Sequence, residues 1–154
     1  MNTPSQRLKL SVLDLVPIFG GVDSTEALKQ AAKLAKSVEQ LGYHRYWVAE
    51  HHDLPGPACA SPEVLLAHID AVTSRIRIGS GALLLPHDQP LKVAEAFHML
   101  ASLYPGRVDL GVGRAPGGNA HTTMALSGNF LAKVHRMPEL LRDLKALLDG
   151  SYTY

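Results

Sequence analysis

Residues 76–85 read Ile-Arg-Ile-Gly-Ser-Gly-Ala-Leu-Leu-Leu (IRIGSGALLL). Apart from Arg77 the run is apolar or small throughout. That is the composition of a parallel strand covered on both faces, not of a strand with one wet face. Upstream, Ser61-Pro62-Glu63 reads as N-cap, first-turn proline and first-turn acid of a helix, with Leu65, Ile69 and Val72 as its buried stripe. Before that helix, Arg45–Ala49 (RYWVA) is rich in strand formers. Asp23, with Glu26 three residues on, opens an earlier helix as a capping box. Leu28, Ala31, Ala35 and Val38 mark its apolar face and Gly42 ends it. Leu8–Leu13 (LKLSVL) reads as the first strand. Downstream, Pro90 opens a third helix on Val93, Phe97, Leu100 and Tyr104, stopped by Pro105-Gly106. Arg107–Arg114 (RVDLGVGR) is a fourth strand, followed by a glycine-rich loop. A last helix runs from about Pro138 to Asp149 on Leu140, Leu144 and Leu147, closed by Gly150.

Strands therefore begin near Leu8, Arg45, Ile76 and Arg107, each followed by a helix. This βα rhythm implies right-handed crossovers and a parallel sheet. Two architectures fit it: a doubly wound open sheet, or about four βα units of a (β/α)8 barrel. The 154 residues suit one domain spanning 1–154. With 46% hydrophobic and 19% charged residues the chain can bury a core. A net charge of +1 without long runs of either sign argues against a nucleic acid or an anionic membrane as partner. The single cysteine, Cys59, excludes an intramolecular disulfide. Residues Met1–Lys9 are polar, unlike a signal peptide, and no apolar run reaches the length of a membrane span. A soluble, cytoplasmic α/β protein is the expectation.

In both architectures, sites form at the carboxyl ends of the strands. Asp14 follows the first strand and Glu50-His51-His52-Asp53 the second. Gly79-Ser80-Gly81-Ala82 and then His87-Asp88 belong to the third, and Gly111-Val112-Gly113-Arg114 and Gly117-Gly118-Asn119 to the fourth. Polar and small residues thus gather at one rim. The Glu50-His51-His52 cluster allows three readings. Histidine beside a carboxylate suits proton transfer at a bound cofactor. A metal held with Asp53, His87 and Asp88 is the second reading, although adjacent residues of an extended chain point opposite ways and the HExxH spacing is absent. A hydrogen-bonded loop is the third.

The glycines do not complete a dinucleotide fingerprint: Pro116 and Leu84 stand at the sixth positions of the two candidate GxGxxG frames. Glycine inside a strand marks close approach of a ligand or of another part of the chain. A flat ligand against the rim and a tight barrel interior both fit. Arg114 suits a phosphate or a surface ion pair. His68, His98, His121 and His135 carry no argument for function. Tyr43, Tyr46 and Trp47 read as packing, and Cys59 has no basic neighbour to activate it.

Trp47-Val48-Ala49-Glu50-His51-His52 resembles the W-x-x-E-H-H motif of bacterial luciferase-like flavin monooxygenases. Residues 78–86 (IGSGALLLP) look like that family's third strand, and Pro90–Glu95 (PLKVAE) and Gly106–Arg114 (GRVDLGVGR) are similar to its next two signatures. The resemblance runs in order from about Leu8 to Gly118. It implies a (β/α)8 barrel of the TIM type binding reduced FMN or, in some relatives, a deazaflavin. It also implies a small organic substrate such as an aldehyde, oxidised with O2, and a reductase that supplies the reduced flavin. By position His51 matches the family's catalytic histidine, flanked by Glu50 and His52. Gly81-Ala82 would lie against the isoalloxazine ring, at a strand end where the family holds a non-proline cis peptide. Arg114, next to Gly113, matches a residue near the flavin phosphate. No metal is implied.

A full barrel takes roughly 250 residues, so the chain is expected to be the N-terminal half of one, with two open sheet edges. Open edges invite pairing with another chain, and association with a second copy is expected. Two other classes stand beside the monooxygenase: a catalytically inactive half-barrel that binds flavin or assembles, and a metal-dependent hydrolase on Glu50, His51, Asp53 and His87. Residues 119–135 carry no motif.

Overall fold

The computed structural model describes residues 8–153; Met1–Arg7, the larger part of the polar N-terminal stretch, and Tyr154 lie outside the described residues. Four parallel strands, β1 (Ser11–Asp14), β2 (Arg45–Val48), β3 (Arg77–Leu84) and β4 (Val108–Gly113), lie in the order β1-β2-β3-β4. Three helices connect them: α1 (Ser24–Gln40), α2 (Pro62–Val72) and α3 (Pro90–Leu103). After β4 come α4 (Ala120–Ser127), α5 (Phe130–His135) and α6 (Met137–Asp149).

The strand order decides between the two architectures. A doubly wound sheet reverses its order at a switch point and divides its helices between two faces. Here every strand sits beside its sequence neighbour, and α1 packs on α2, α2 on α3 and α3 on α6 in one continuous layer. This is the arrangement of four βα units of a (β/α)8 barrel.

The core lies between sheet and helices. Tyr46, Val48 and Ile78 from the strands meet Leu66 and Ile69 of α2, Val93, Phe97 and Leu100 of α3, and Leu140 and Leu144 of α6. Alternate strand residues face the opposite, inner side. There Asp109 pairs with Arg45 (Nε to Oδ2, 2.9 Å) and with Arg77 (Nη2 to Oδ1, 2.6 Å). Trp47 occupies the next layer.

Most boundaries fall where the sequence places them. Asp23 caps α1 by accepting the Glu26 N–H (2.9 Å), but the Glu26 side chain bonds Gln30 instead of returning to the cap, so the capping box is half made. Gly42 takes φ +79 just beyond α1, and Gly150 takes φ +76 beyond α6. Ser61 sits at the N-cap of α2 without a side-chain cap bond; its carbonyl accepts the Val64 and Leu65 N–H groups.

Four readings need correction. The first strand is Ser11–Asp14 and not Leu8–Leu13, because pairing with β2 begins only at Ser11, opposite Arg45, leaving Leu8 and Leu10 exposed. On α2, Val72 is half-buried, and the buried face includes the charged Asp70. Arg107 precedes β4 and serves as an anchor, its guanidinium reaching the Ile76 carbonyl, Thr73 and Asp70. The segment 119–135 is helical. Asn119 caps α4 through the Thr122 N–H and Asn129 caps α5 through the Ala132 N–H, both at 3.0 Å.

Candidate functional site at the carboxyl mouth of the sheet

The strand ends bring four loops together. Just past β2, Ala49 donates its N–H to the Asp14 carbonyl (3.1 Å) and Glu50 donates to the Ala82 carbonyl (3.3 Å), so the Glu50-His51-His52 run starts wedged between β1 and β3. The His51 N–H then bonds the Cys59 carbonyl and the His52 N–H the Gly117 carbonyl, each at 2.8 Å. One backbone turn thereby ties β2 to the loop before α2 and to the loop after β4. Glu50, His51 and His52 have left the strand.

Glu50 is buried, and its carboxylate is fully used. Oε2 accepts the Leu84 N–H at 2.7 Å, and Oε1 lies 2.6 Å from His52 Nε2. Burial pushes the Glu50 carboxyl above its ordinary range, and the His52 and Leu84 donors pull it back only in part. Glu50 and His52 thus form a buried, directly hydrogen-bonded acid–imidazole pair. His51 Nδ1 is buried and has no hydrogen-bond partner among the described residues.

β3 carries the cis peptide Gly81–Ala82, and the β3–β4 register shifts between Ser80 and Leu83 at the same place. Gly113 on β4 stands beside it: a Cβ there would lie 3.0 Å from the Ala82 Cβ. Gly117 has φ +64, and a Cβ on it would collide with Leu84; one on Gly118 would come within 2.6 Å of the His52 carbonyl oxygen. These glycines let the β4–α4 loop close onto the mouth. Arg114 follows Gly113 directly and is exposed. Gly79, Gly81 and Gly111 have a different neighbour. A Cβ on Gly79 would meet the Trp47 ring at 2.5 Å, and one on Gly81 would meet Trp47 Cβ at 3.0 Å. Gly79 and Gly81 thus make room for the indole on the inner face, and Gly111 for the Ser80 carbonyl of the neighbouring strand, so protein atoms fill that layer.

Several of the candidate metal ligands bond other protein groups. Glu50 and His52 serve each other, and Asp53 (φ +49) accepts from Asn119 Nδ2 (3.1 Å) and Thr122 Oγ1 (2.9 Å). Among the described residues no three His, Cys, Asp or Glu side chains are grouped to hold a metal ion. His87 donates from Nε2 to the Pro116 carbonyl (2.8 Å), and its ring meets His52 edge-on and stacks on Phe130. Burial pushes the Asp88 carboxyl up, opposed by His87, His52 and Lys133. Cys59 is buried, and burial pushes its thiol up to about 12. His68, His98 and His121 are exposed, with His98 Nε2 3.1 Å from the Leu148 carbonyl. Sequence reasoning missed His87 and Phe130 as partners; Asn119 and Asn129, each a helix cap three residues before the N–H it accepts, were the local signals for the segment between them.

The sequence pattern of the luciferase-like monooxygenase family matches residues 8–154. The chain belongs to this family. A luciferase-like monooxygenase of Escherichia coli strain K12 is 44% identical over 142 residues, which are 92% of this chain and 42% of that protein. The N-acetyl-S-alkylcysteine monooxygenase of Bacillus subtilis strain 168 is 45% identical over 137 residues, or 89% of this chain and 41% of its own length. Among solved structures, apo-MsnO8 superposes with a TM-score of 0.88 at 41% identity, covering 96% of this chain and 44% of that one. The chain thus spans less than half the length of these members of the family. No helix among the described residues is long and apolar enough to cross a membrane.

Proposed function

We propose that this chain supplies the flavin-facing mouth of a monooxygenase that uses reduced FMN and O2 to oxidise a small organic substrate such as an aldehyde. One oxygen atom goes to the substrate, giving the carboxylic acid, and the other leaves as water. The observation that carries this reading is the junction of Glu50 with β3. The Glu50 N–H binds the Ala82 carbonyl and the Glu50 carboxylate binds the Leu84 N–H, so the acid–imidazole run adjoins the side-chain-poor Gly81–Ala82 edge. Membership of the monooxygenase family supports it.

The residues present fit a flavin. Ala82, at the cis peptide near the end of β3, is half-buried and presents only a methyl group, which suits close approach of a planar ring, while Gly81 and Gly113 let Trp47 and Ala82 pack closely behind it. His51 Nδ1 is a buried polar atom without a partner among the described residues, an atom that a bound group could satisfy. Arg114, one residue past β4, suits a phosphate. Bound reduced flavin would supply the electrons for O2 activation. Glu50 then holds His52 in orientation and keeps a proton between the two side chains. His51 offers Nδ1 as its hydrogen-bonding atom. The closed Gly117–Gly118 loop helps exclude water. We further propose that the chain is one domain, the N-terminal half of its barrel, and that a second copy covers its open edges.

The test adds reduced FMN without oxygen, then an aldehyde and O2, and measures the carboxylic acid formed. Acid formed by the wild type, cut by about 10²-fold or more in His51→Ala at unchanged FMN affinity, supports the reading. Reoxidation at the free-flavin rate without acid points to the half-barrel binding module, and turnover only with a deazaflavin points to that cofactor instead.

A further inference from the structure

His87 lies outside the roles the family pattern implies, yet three elements converge on it. It is the last residue of the short 3-10 turn Leu85–His87 that follows β3. Nε2 lies 2.8 Å from the Pro116 carbonyl, an oxygen that only accepts, so the proton sits on Nε2. One face stacks on Phe130 of α5, with centroids 5.4 Å apart and planes at 28°. The His52 ring meets it edge-on at 5.7 Å and 81°. His52 in turn bonds Glu50 through its ring and Gly117 through its backbone. No residue of α5 is fully buried; Phe130, Lys133 and Val134 are half-buried where the helix meets α4, α6 and the 3-10 turn, and the stack is its ring contact with the mouth.

We propose that His87 is a positioning residue, a clamp that fastens the segment from Pro116 to α5 onto the Glu50–His52 pair. Its Nε2–H fixes the glycine loop, its face fixes Phe130, and its edge sets the angle of the His52 ring. The clamp stands on its own contacts; its service to flavin chemistry rests on the function proposed above.

The two contacts separate by substitution. His87→Phe keeps a ring for Phe130 and removes the donor. His87→Gln keeps a donor within reach of the Pro116 carbonyl and removes the ring. Amide exchange and ring spectra are read by NMR on the 154-residue chain, with α1–α3 protection as the folding control. The His52 amide, held by the Gly117 carbonyl, is expected to exchange at least about ten-fold faster in His87→Phe and to return near the wild-type rate in His87→Gln. The Phe130 ring signals are expected to move in His87→Gln and to hold in His87→Phe. Should His87→Gln fail to fold, Phe130→Leu removes the same stack from the exposed side and is expected to shift the His52 ring signals. Unchanged exchange at His52 in His87→Phe, or an undisturbed stack in the ring-removing variant, overturns the proposal. FMN titrated into the same samples separates the two readings: clamp signatures without any FMN response at residues 116–118 leave the clamp standing and count against the flavin mouth.

Discussion

Asp70 shows what a single residue costs the fold. Its side chain is fully buried on α2, and Arg107 Nη2 lies 2.5 Å away but off the hydrogen-bonding direction, so neither carboxylate oxygen has a well-aligned donor. Burial raises its carboxyl to about 6, with Arg107 opposing. An acid raised in the fold is one the fold prefers protonated. Its contribution is complete below the ordinary carboxylate range and is lost as pH rises through about 6, a difference on the order of 2–3 kcal/mol. Asp70→Asn removes this dependence, and Arg107 keeps its bonds to Thr73 and Ile76. Urea denaturation at pH 4.5 and 7.5 is expected to show the wild type losing stability relative to the variant at the higher pH; a flat difference contradicts the account. Asp70 is not legible in the sequence, where it is one acid in a helix. Glu50, by contrast, is legible as a rim group, because a residue directly after a parallel strand lies at the carboxyl mouth of the sheet. Its hydrogen-bond partner Leu84 is not, since backbone donors carry no sequence signal.

Elements were legible to the extent that their apolar residues formed a stripe. α1, α2, α3 and α6 each bury one face against the sheet or a neighbouring helix. α4 and α5 leave Met124, Leu126 and Leu131 exposed, so their apolar residues point to no common side and only the asparagine caps announce them. The link between α1 and β3 was equally hidden. Glu39, near the end of α1, accepts the N–H groups of Ser74, Arg75 and Ile76 at 2.8, 2.6 and 2.9 Å and so fixes the turn into β3. Burial pushes this carboxyl up, but the three donors outweigh it and hold it below its ordinary value. Its contribution is present above the ordinary carboxylate range and is lost as pH falls through the lowered value. Glu39→Ala leaves three donors to water and is expected to cost about 1–2 kcal/mol near neutral pH, with wild type and variant converging in acid. Equal chemical denaturation midpoints at pH 7 would remove Glu39 from this role.

For the whole molecule, the sequence rhythm implied the parallel sheet but left a doubly wound sheet and a barrel open, and the strand order decided between them. The role of the strand glycines was legible only as an alternative between a ligand and a packed interior; at Gly79 and Gly81 the neighbour is Trp47, which the sequence could not assign. β1 and β4 border the sheet, and along β1 Leu13 is 57% exposed, beside exposed Leu10 and Leu15. Association with a second copy through these edges is expected to appear in sedimentation velocity as a coefficient that rises with concentration; a constant monomer across the range opposes it. The flavin mouth is tested most directly by titrating FMN, oxidised and then reduced, into the isotope-labelled chain and mapping the amide shifts. The account predicts perturbations confined to residues 50–52, 81–84 and 113–118. Shifts centred on the groove between α1 and α2, or no saturable shift at the mouth, would contradict it.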